Sequence, residues 1–326
     1  MKVIRISASN AKYGGNVYEK MIDSALSGEN SVETFHCMPD VSGYLKYLMV
    51  PIFYLRVFFK SLFNRADIVI QPLESVFWLN KRKKNIVLLH HFDPSYSNSL
   101  SRLNQAFTFW LLKINMNKVD KLVVVSNYWK REMEKVGFKD VTIAYNAFEI
   151  DKFKEKKLSD SIFDELKNNG KLNIYIGNAH PKKGYFKVVD AIGDLSVNLI
   201  SSGYQNSAPD TDRVTNYTLN YDSYLEMLKS VDLVITYSQF KEGWCRTAHE
   251  ALLLGTPVVG SGFGGMGELL EFSGQDICAS DSELRKVTQQ FIKDRSSMKA
   301  IDQSYVESFS IERFNLTWQK IIKEVS

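Results

Sequence analysis

Short apolar runs recur along this chain with helix-forming sequence between them, and that alternation restricts the fold more than any other feature. Residues 2–7, "ADIVIQ" (66–71), "NIVLLH" (85–90), "KLVVVS" (121–126) and "VTIAYN" (141–146) have strand length and are apolar on both faces. Strands buried on both faces belong to parallel sheets, and parallel neighbours require a crossover, usually a helix. "VYEKMIDSAL", after the Gly-containing loop "AKYGGN", and "NYWKREMEKVG" have the spacing of such helices. The charged stretch "EIDKFKEKKLSDS" (149–161) breaks the rhythm and is the expected linker. A second series then follows: "KLNIYIGN" (171–178), a helix near 184–192, "VNLISSG" (197–203), a helix near 222–230, "VDLVITYS" (231–238) and "TPVVGS" (256–261). The expectation is an α/β protein of two Rossmann-like domains, 1–155 and 156–305, with a helix over 306–326 packing across their junction.

With 326 residues, each half is long enough to bury its own core. Lys plus Arg exceed Asp plus Glu only by 41 to 37, a net charge of +4, which is too mild to indicate a nucleic-acid partner. Cys37, Cys245 and Cys278 are widely spaced and form no CxxC pair, which argues against a disulfide framework or a zinc site and for a reducing compartment. The N-terminus "MKVIRISASN" alternates like a strand and lacks the apolar region of a signal peptide, so a cytoplasmic location is expected.

In open α/β sheets, ligands bind beyond the carboxyl ends of the strands. Gly14 and Gly15, His90 and His91, Ser126, Asn146, Gly177, Gly203 and Glu242 all fall there. The densest stretch is "FKEGWCRTAHEALLLGTPVVGSGFGGMGELLE" (240–271), where a helical pattern stops at Gly255 with Pro257 just beyond. Glu242 precedes that helix and Glu250 lies inside it. Eight residues correspond to roughly 12 Å along a helix axis. A glycosidase pair needs about 5–9.5 Å, so paired acid/base chemistry is disfavoured. A ligand with hydroxyls at both ends suits the spacing better. The helix N-terminus, around Gly243, Trp244 and Arg246, would offer N–H groups and a positive dipole to a phosphate between those ends. The competing reading is two solvated surface acids.

Three passages together resemble the retaining glycosyltransferases of family 4, which have the GT-B fold. They are "VSNYWKREMEKVGFKDVTIAYNAFEIDKF", "IYIGNAHPKKGYFKVVDAI" and the block carrying Glu242 and Glu250. The resemblance implies that Glu242 contacts the donor sugar, Glu250 the ribose, and Lys183 the donor diphosphate, whose charge builds as it leaves. The family's arginine after the strand glycine, here Gly177, is Asn178, and Lys182 or Arg246 would replace it, Lys182 being the first choice. Gly14 and Gly15 stand where the family has its first Gly-rich loop. His90 and His91 stand where it often has a histidine near the reacting sugar, with His91 the first choice. The resemblance also implies a sugar moved from a UDP- or GDP-sugar to a glycan or lipid-linked acceptor in polysaccharide or glycolipid biosynthesis. It implies an acceptor-binding N-terminal domain and a donor-binding C-terminal one, with neither cofactor nor metal. "PDTD" (209–212) contains an Asp-x-Asp triplet, but the two-sheet pattern does not suit the metal-dependent fold that uses it. A nucleotide-sugar epimerase or hydrolase of the same fold, or a non-catalytic sugar-binding protein, is the alternative.

"YLKYLMVPIFYLRVFFKSLFNRAD" (44–67) has about the length of a membrane span, but Lys46, Pro51, Arg56 and Lys60 interrupt it. A midplane Lys or Arg costs about 2.5–3.5 kcal/mol. Either it is a core helix, or it lies at an anionic bilayer surface together with the basic "NKRKKN" (80–85). A helix with one face in the core and its tip at lipid combines the two, and implies peripheral membrane contact.

Overall fold

The computed structural model describes residues 1–7, 14–36, 49–96, 99–157, 170–203 and 213–326. The chain forms two units: Met1–Ala147 with Ile311–Ser326, and Phe148–Ser310. The division lies just ahead of the charged stretch expected to be the linker, and part of that stretch, Ile150–Lys154, is a short helix.

The N-terminal unit holds six parallel strands: β1 (Lys2–Ser7), β2 (Ser31–His36), β3 (Ile68–Pro72), β4 (Lys84–Leu89), β5 (Lys121–Val124) and β6 (Val141–Ile143). Their order is β2-β1-β3-β4-β5-β6, so the direction of winding reverses between β1 and β3. The helices that matter below are α1 (Gly14–Leu26), α2 (Val50–Phe63), α3 (Ser99–Ile114) and α4 (Asn127–Val136). Gly14 and Gly15 therefore open α1 rather than belong to a loop. On one face of the sheet, Tyr18, Ile22 and Leu26 of α1 pack with Ile68 and Ile70, and with Trp318 and Ile321 of the C-terminal helix Ile311–Val325. That helix belongs to the N-terminal unit although it ends the sequence. The other face is covered by Leu112 of α3 and by Trp129 and Met133 of α4. Arg5 of β1 is buried: it bonds Asp23 through Nε and Nη2, each at 2.6 Å, and also pairs with Glu19. Ser7 donates to the same Glu19 and Thr34 to the same Asp23, so the cluster is satisfied and structural.

The C-terminal unit holds β7 (Leu172–Asn178), β8 (Val197–Ser202), β9 (Val214–Tyr217), β10 (Leu233–Thr236), β11 (Val258–Gly260) and β12 (Asp276–Ile277), again all parallel. The order is β12-β11-β10-β7-β8-β9. Counted from β7, this is the 3-2-1-4-5-6 order of dinucleotide-binding sheets, and its winding reverses between β7 and β10. Ile174, Leu199, Leu233, Ile235 and Val259 from these strands form the core with Val188 and Ile192 of α5 (Tyr185–Ile192).

Candidate donor site

The two strands that flank the reversal in the C-terminal sheet supply the two groups with most chemistry. After β7 the chain turns through Pro181–Lys183 and starts α5, with Gly184 at the junction in a left-handed conformation (φ 80°). A Cβ at Gly184 would lie 2.0 Å from the Tyr237 carbonyl oxygen, so only glycine lets this turn sit against the segment after β10. That contact brings Lys183 to Glu242: Lys183 Nζ donates to Glu242 Oε1 at 2.9 Å. Ser238 Oγ donates to the same oxygen, and Ser261 Oγ fixes the Ser238 carbonyl at 2.7 Å. Burial works to lower the Lys183 ammonium, but the Glu242 carboxylate outweighs it and holds the lysine above its ordinary value. The lysine is half-buried and the carboxylate buried.

Glu242 is also held through its backbone. Its N–H reaches Phe263 O at 3.3 Å, and its carbonyl accepts from Gly265 N at 2.8 Å. Gly264 passes directly over it at φ 73°, ψ −142°, a conformation essentially restricted to glycine. The Gly-rich turn at the end of the 240–271 block thus braces the first glutamate.

Glu250 belongs to α7 (Arg246–Leu253), which packs beside α6 (Tyr221–Ser230), and it is buried. Tyr221 Oη donates to Glu250 Oε1 at 3.1 Å, and Arg246 Nη2 approaches the same oxygen at 3.3 Å. Burial pushes the Glu250 carboxyl up, against the pull of Arg246 and Tyr221. The Arg246 guanidinium lies over the Phe148 ring, 4.3 Å from its centroid. Glu242 and Glu250 thus occupy two separate hydrogen-bonding environments, each with its own cation.

The remaining expected residues are distributed as follows. Gly177 has φ 80° near the end of β7, whose last residue, Asn178, is exposed, as is Lys182 in the turn that follows. Gly243 is buried beside Glu242. The Trp244 side chain turns inward: Nε1 donates to His249 Nδ1 at 3.0 Å, and the ring packs on Phe309. His249 Nε2 meets Val306 O at 2.9 Å, so the imidazole is a neutral donor–acceptor and burial pushes its pKa to about 3. Burial and Glu242 push the Cys245 thiol up to about 12, which leaves it inert as a nucleophile.

In the N-terminal unit, His90 follows β4 with its ring edge-on to Tyr18 of α1 at 5.0 Å. His90 Nε2 is buried without a hydrogen-bond partner among the described residues, and a Cβ at Gly15 would lie 3.9 Å from it. His90 is thus the histidine of the pair that meets the Gly14–Gly15 segment, whereas His91 is exposed. The Asp-x-Asp triplet at 209–212 and Cys37 lie outside the described residues, and among the described residues no group of three His, Cys, Asp or Glu could hold a metal. Sequence reading did not single out Ser238 or Tyr221, which orient the two glutamates; neither sits in a local pattern that marks it.

Residues 27–152 match the family model described as Glycosyltransferase Family 4. The match covers 126 of the 326 residues, and it marks the chain as a glycosyltransferase. Among solved structures, this glycosyltransferase is similar to the Anabaena HepE protein in complex with UDP-glucose (17% identity, TM-score 0.76, 99% of this chain and 100% of that one). It is also similar to sucrose-phosphate synthase from Thermosynechococcus elongatus (14%, TM-score 0.78, 99% and 98%). A third is the trehalose-6-phosphate synthase OtsA (12%, TM-score 0.68, 100% and 99%). At these identities the likeness establishes the fold, GT-B, over nearly the whole chain. No curated protein matches the sequence.

Proposed function

We propose that this glycosyltransferase moves a sugar from a UDP-sugar, with retention of configuration, to a glycan or lipid-linked acceptor in polysaccharide or glycolipid assembly. The observation that carries the reading is the Lys183–Glu242 pair at the reversal point of the C-terminal sheet, braced by Ser238, Gly184 and Gly264. A charged lysine there neutralises a diphosphate as the bond to it breaks, and a buried carboxylate accepts hydrogen bonds from sugar hydroxyls. Glu250, backed by Tyr221 and Arg246, takes the ribose hydroxyls. Lys182 stands in for a second phosphate cation.

The acceptor oxygen forms its bond to the anomeric carbon on the face from which UDP departs. A β-phosphate oxygen takes the acceptor proton, so no protein nucleophile and no metal is needed. The N-terminal unit takes the acceptor. UDP is favoured over GDP because HepE, similar over nearly the whole chain, was solved with UDP-glucose. We place the enzyme in the cytoplasm, in peripheral contact with anionic membrane.

The test is UDP release from a panel of UDP-sugars with candidate acceptors, for the wild type and for Glu242→Gln and Glu242→Ala. Loss of roughly a hundredfold or more in folded variants is expected. Full turnover in a folded Glu242→Ala protein would remove Glu242 from the site. Donor consumption without acceptor would instead indicate an epimerase or hydrolase.

A further inference from the structure

Two helices of the N-terminal unit expose apolar residues along one face each. On α2, Leu55, Phe59 and Phe63 are 56%, 53% and 75% exposed; on α3, Leu103, Trp110 and Ile114 are 70%, 53% and 55% exposed. The spacings, i, i+4, i+8 and i, i+7, i+11, put each set on one stripe of its helix. Scattered exposed leucines are ordinary, but two stripes of this size on adjacent helices are not. The helices do adjoin: Tyr54 Oη donates to Asn104 Oδ1 at 3.3 Å, and these residues immediately neighbour Leu55 and Leu103. Each helix also has a buried face, Phe53 and Val57 on α2 and Leu111 and Leu112 on α3, so the stripes are surplus to the core.

The charges on the two helices identify the partner. Neither contains an Asp or Glu; on α2, Lys60 pairs with Glu33 and Arg56 lies over the Phe35 ring, while on α3 Arg102 and Lys113 are exposed. A two-fold contact between copies of this chain would set these cations against themselves. A bilayer with anionic headgroups meets them with opposite charge and accepts bulky aromatics at the headgroup boundary. Among the described residues no helix is long and apolar enough to cross a membrane, so the contact is lateral.

We infer that the exposed faces of α2 and α3 together form a docking surface for an anionic lipid bilayer, the aromatic and aliphatic side chains entering the headgroup boundary and Arg102 and Lys113 meeting lipid phosphates. This deepens the peripheral location proposed above and does not depend on the donor assignment.

The test is flotation of the full chain with phosphatidylglycerol-containing vesicles and with pure phosphatidylcholine vesicles, at low salt and at about 1 M salt, where charges are screened within about 3 Å. The wild type should float with the anionic vesicles only, and less in high salt. The double variant F59E/W110E, altered at exposed positions, should partition at least about tenfold less. R102Q/K113Q, which leaves the apolar stripes intact, should lose about fivefold per cation. The UDP-induced thermal shift of each variant should equal that of the wild type. No flotation of the wild type, or flotation that both variants leave unchanged, overturns the surface. So does a wild-type dimer in sedimentation that F59E/W110E dissociates, which would make the face a self-interface. Vesicle binding as described with no UDP shift in the wild type would sink the donor assignment and leave this surface standing.

Discussion

Glu242 and Glu250 are both buried, yet their surroundings prepare them for different work. Glu242 receives a lysine ammonium and a serine hydroxyl on one oxygen, which fixes that oxygen in place. Glu250 is pushed toward its protonated form by burial and restrained by Arg246 and Tyr221, which suits a hydrogen-bonding anchor more than a reacting group. The stretch between them contains His249, whose folded-state pKa of about 3 lies below its unfolded value of 6.5. The unfolded chain therefore binds a proton there that the folded chain refuses. The resulting stability is fully present above pH 6.5 and is lost as pH falls toward 3, at up to about 1.4 kcal/mol per pH unit. Thermal melts of the wild type and His249→Asn should converge between pH 7 and pH 5; a gap independent of pH would show that His249 does not stay neutral in the fold. At this scale the resemblance singled out Lys183, Glu242 and Glu250 as candidates, and the structure brings the first two together. Ser238 and Tyr221 stayed hidden because they reach the glutamates only through the fold.

Elements whose burial was uniform were legible, and those whose burial was mixed were not. β7, β8 and α4 fall within a residue or so of their expected places because their apolar runs or helical spacing are unbroken. β2, "SVETFH", alternates in exposure at the sheet edge, and β12 has two residues, so neither carries the pattern of a doubly buried strand. The glycines offer a sharper element-scale test. Gly255 and Gly264 both have positive φ, but a Cβ at Gly255 meets open space, while one at Gly264 would lie 2.3 Å from the Glu242 carbonyl oxygen. Gly255→Ala should lower Tm by a few degrees, since roughly 1 kcal/mol corresponds to about 2–4 °C in a unit of this size, and should keep turnover. Gly264→Ala should abolish turnover even where it folds, by displacing Glu242. Equal turnover in the two variants would show that the turn does not brace the site.

At the scale of the molecule, the sequence returns to its first unit at the end: Phe314, Trp318 and Ile321 complete the core that begins with Val3 and Tyr18. The apolar face of that last segment was legible, and its partner, α1 at the other end of the sequence, was not, because a helix face does not state what it packs against. The family model matches residues 27–152, where the sequence motifs were sparser, while the motifs that name donor chemistry lie in the other unit. The central claim is that Lys183, Glu242 and Glu250 of the C-terminal unit bind a UDP-sugar. Calorimetric titration of UDP into the wild type, Lys183→Ala and Glu250→Ala tests it most directly. The expected result is saturable binding by the wild type, weakened at least about tenfold in each folded variant, as loss of a charge-assisted contact of about 1.5–3 kcal/mol requires. Wild-type affinity for UDP in both folded variants, or no UDP binding by the folded wild type, would contradict it.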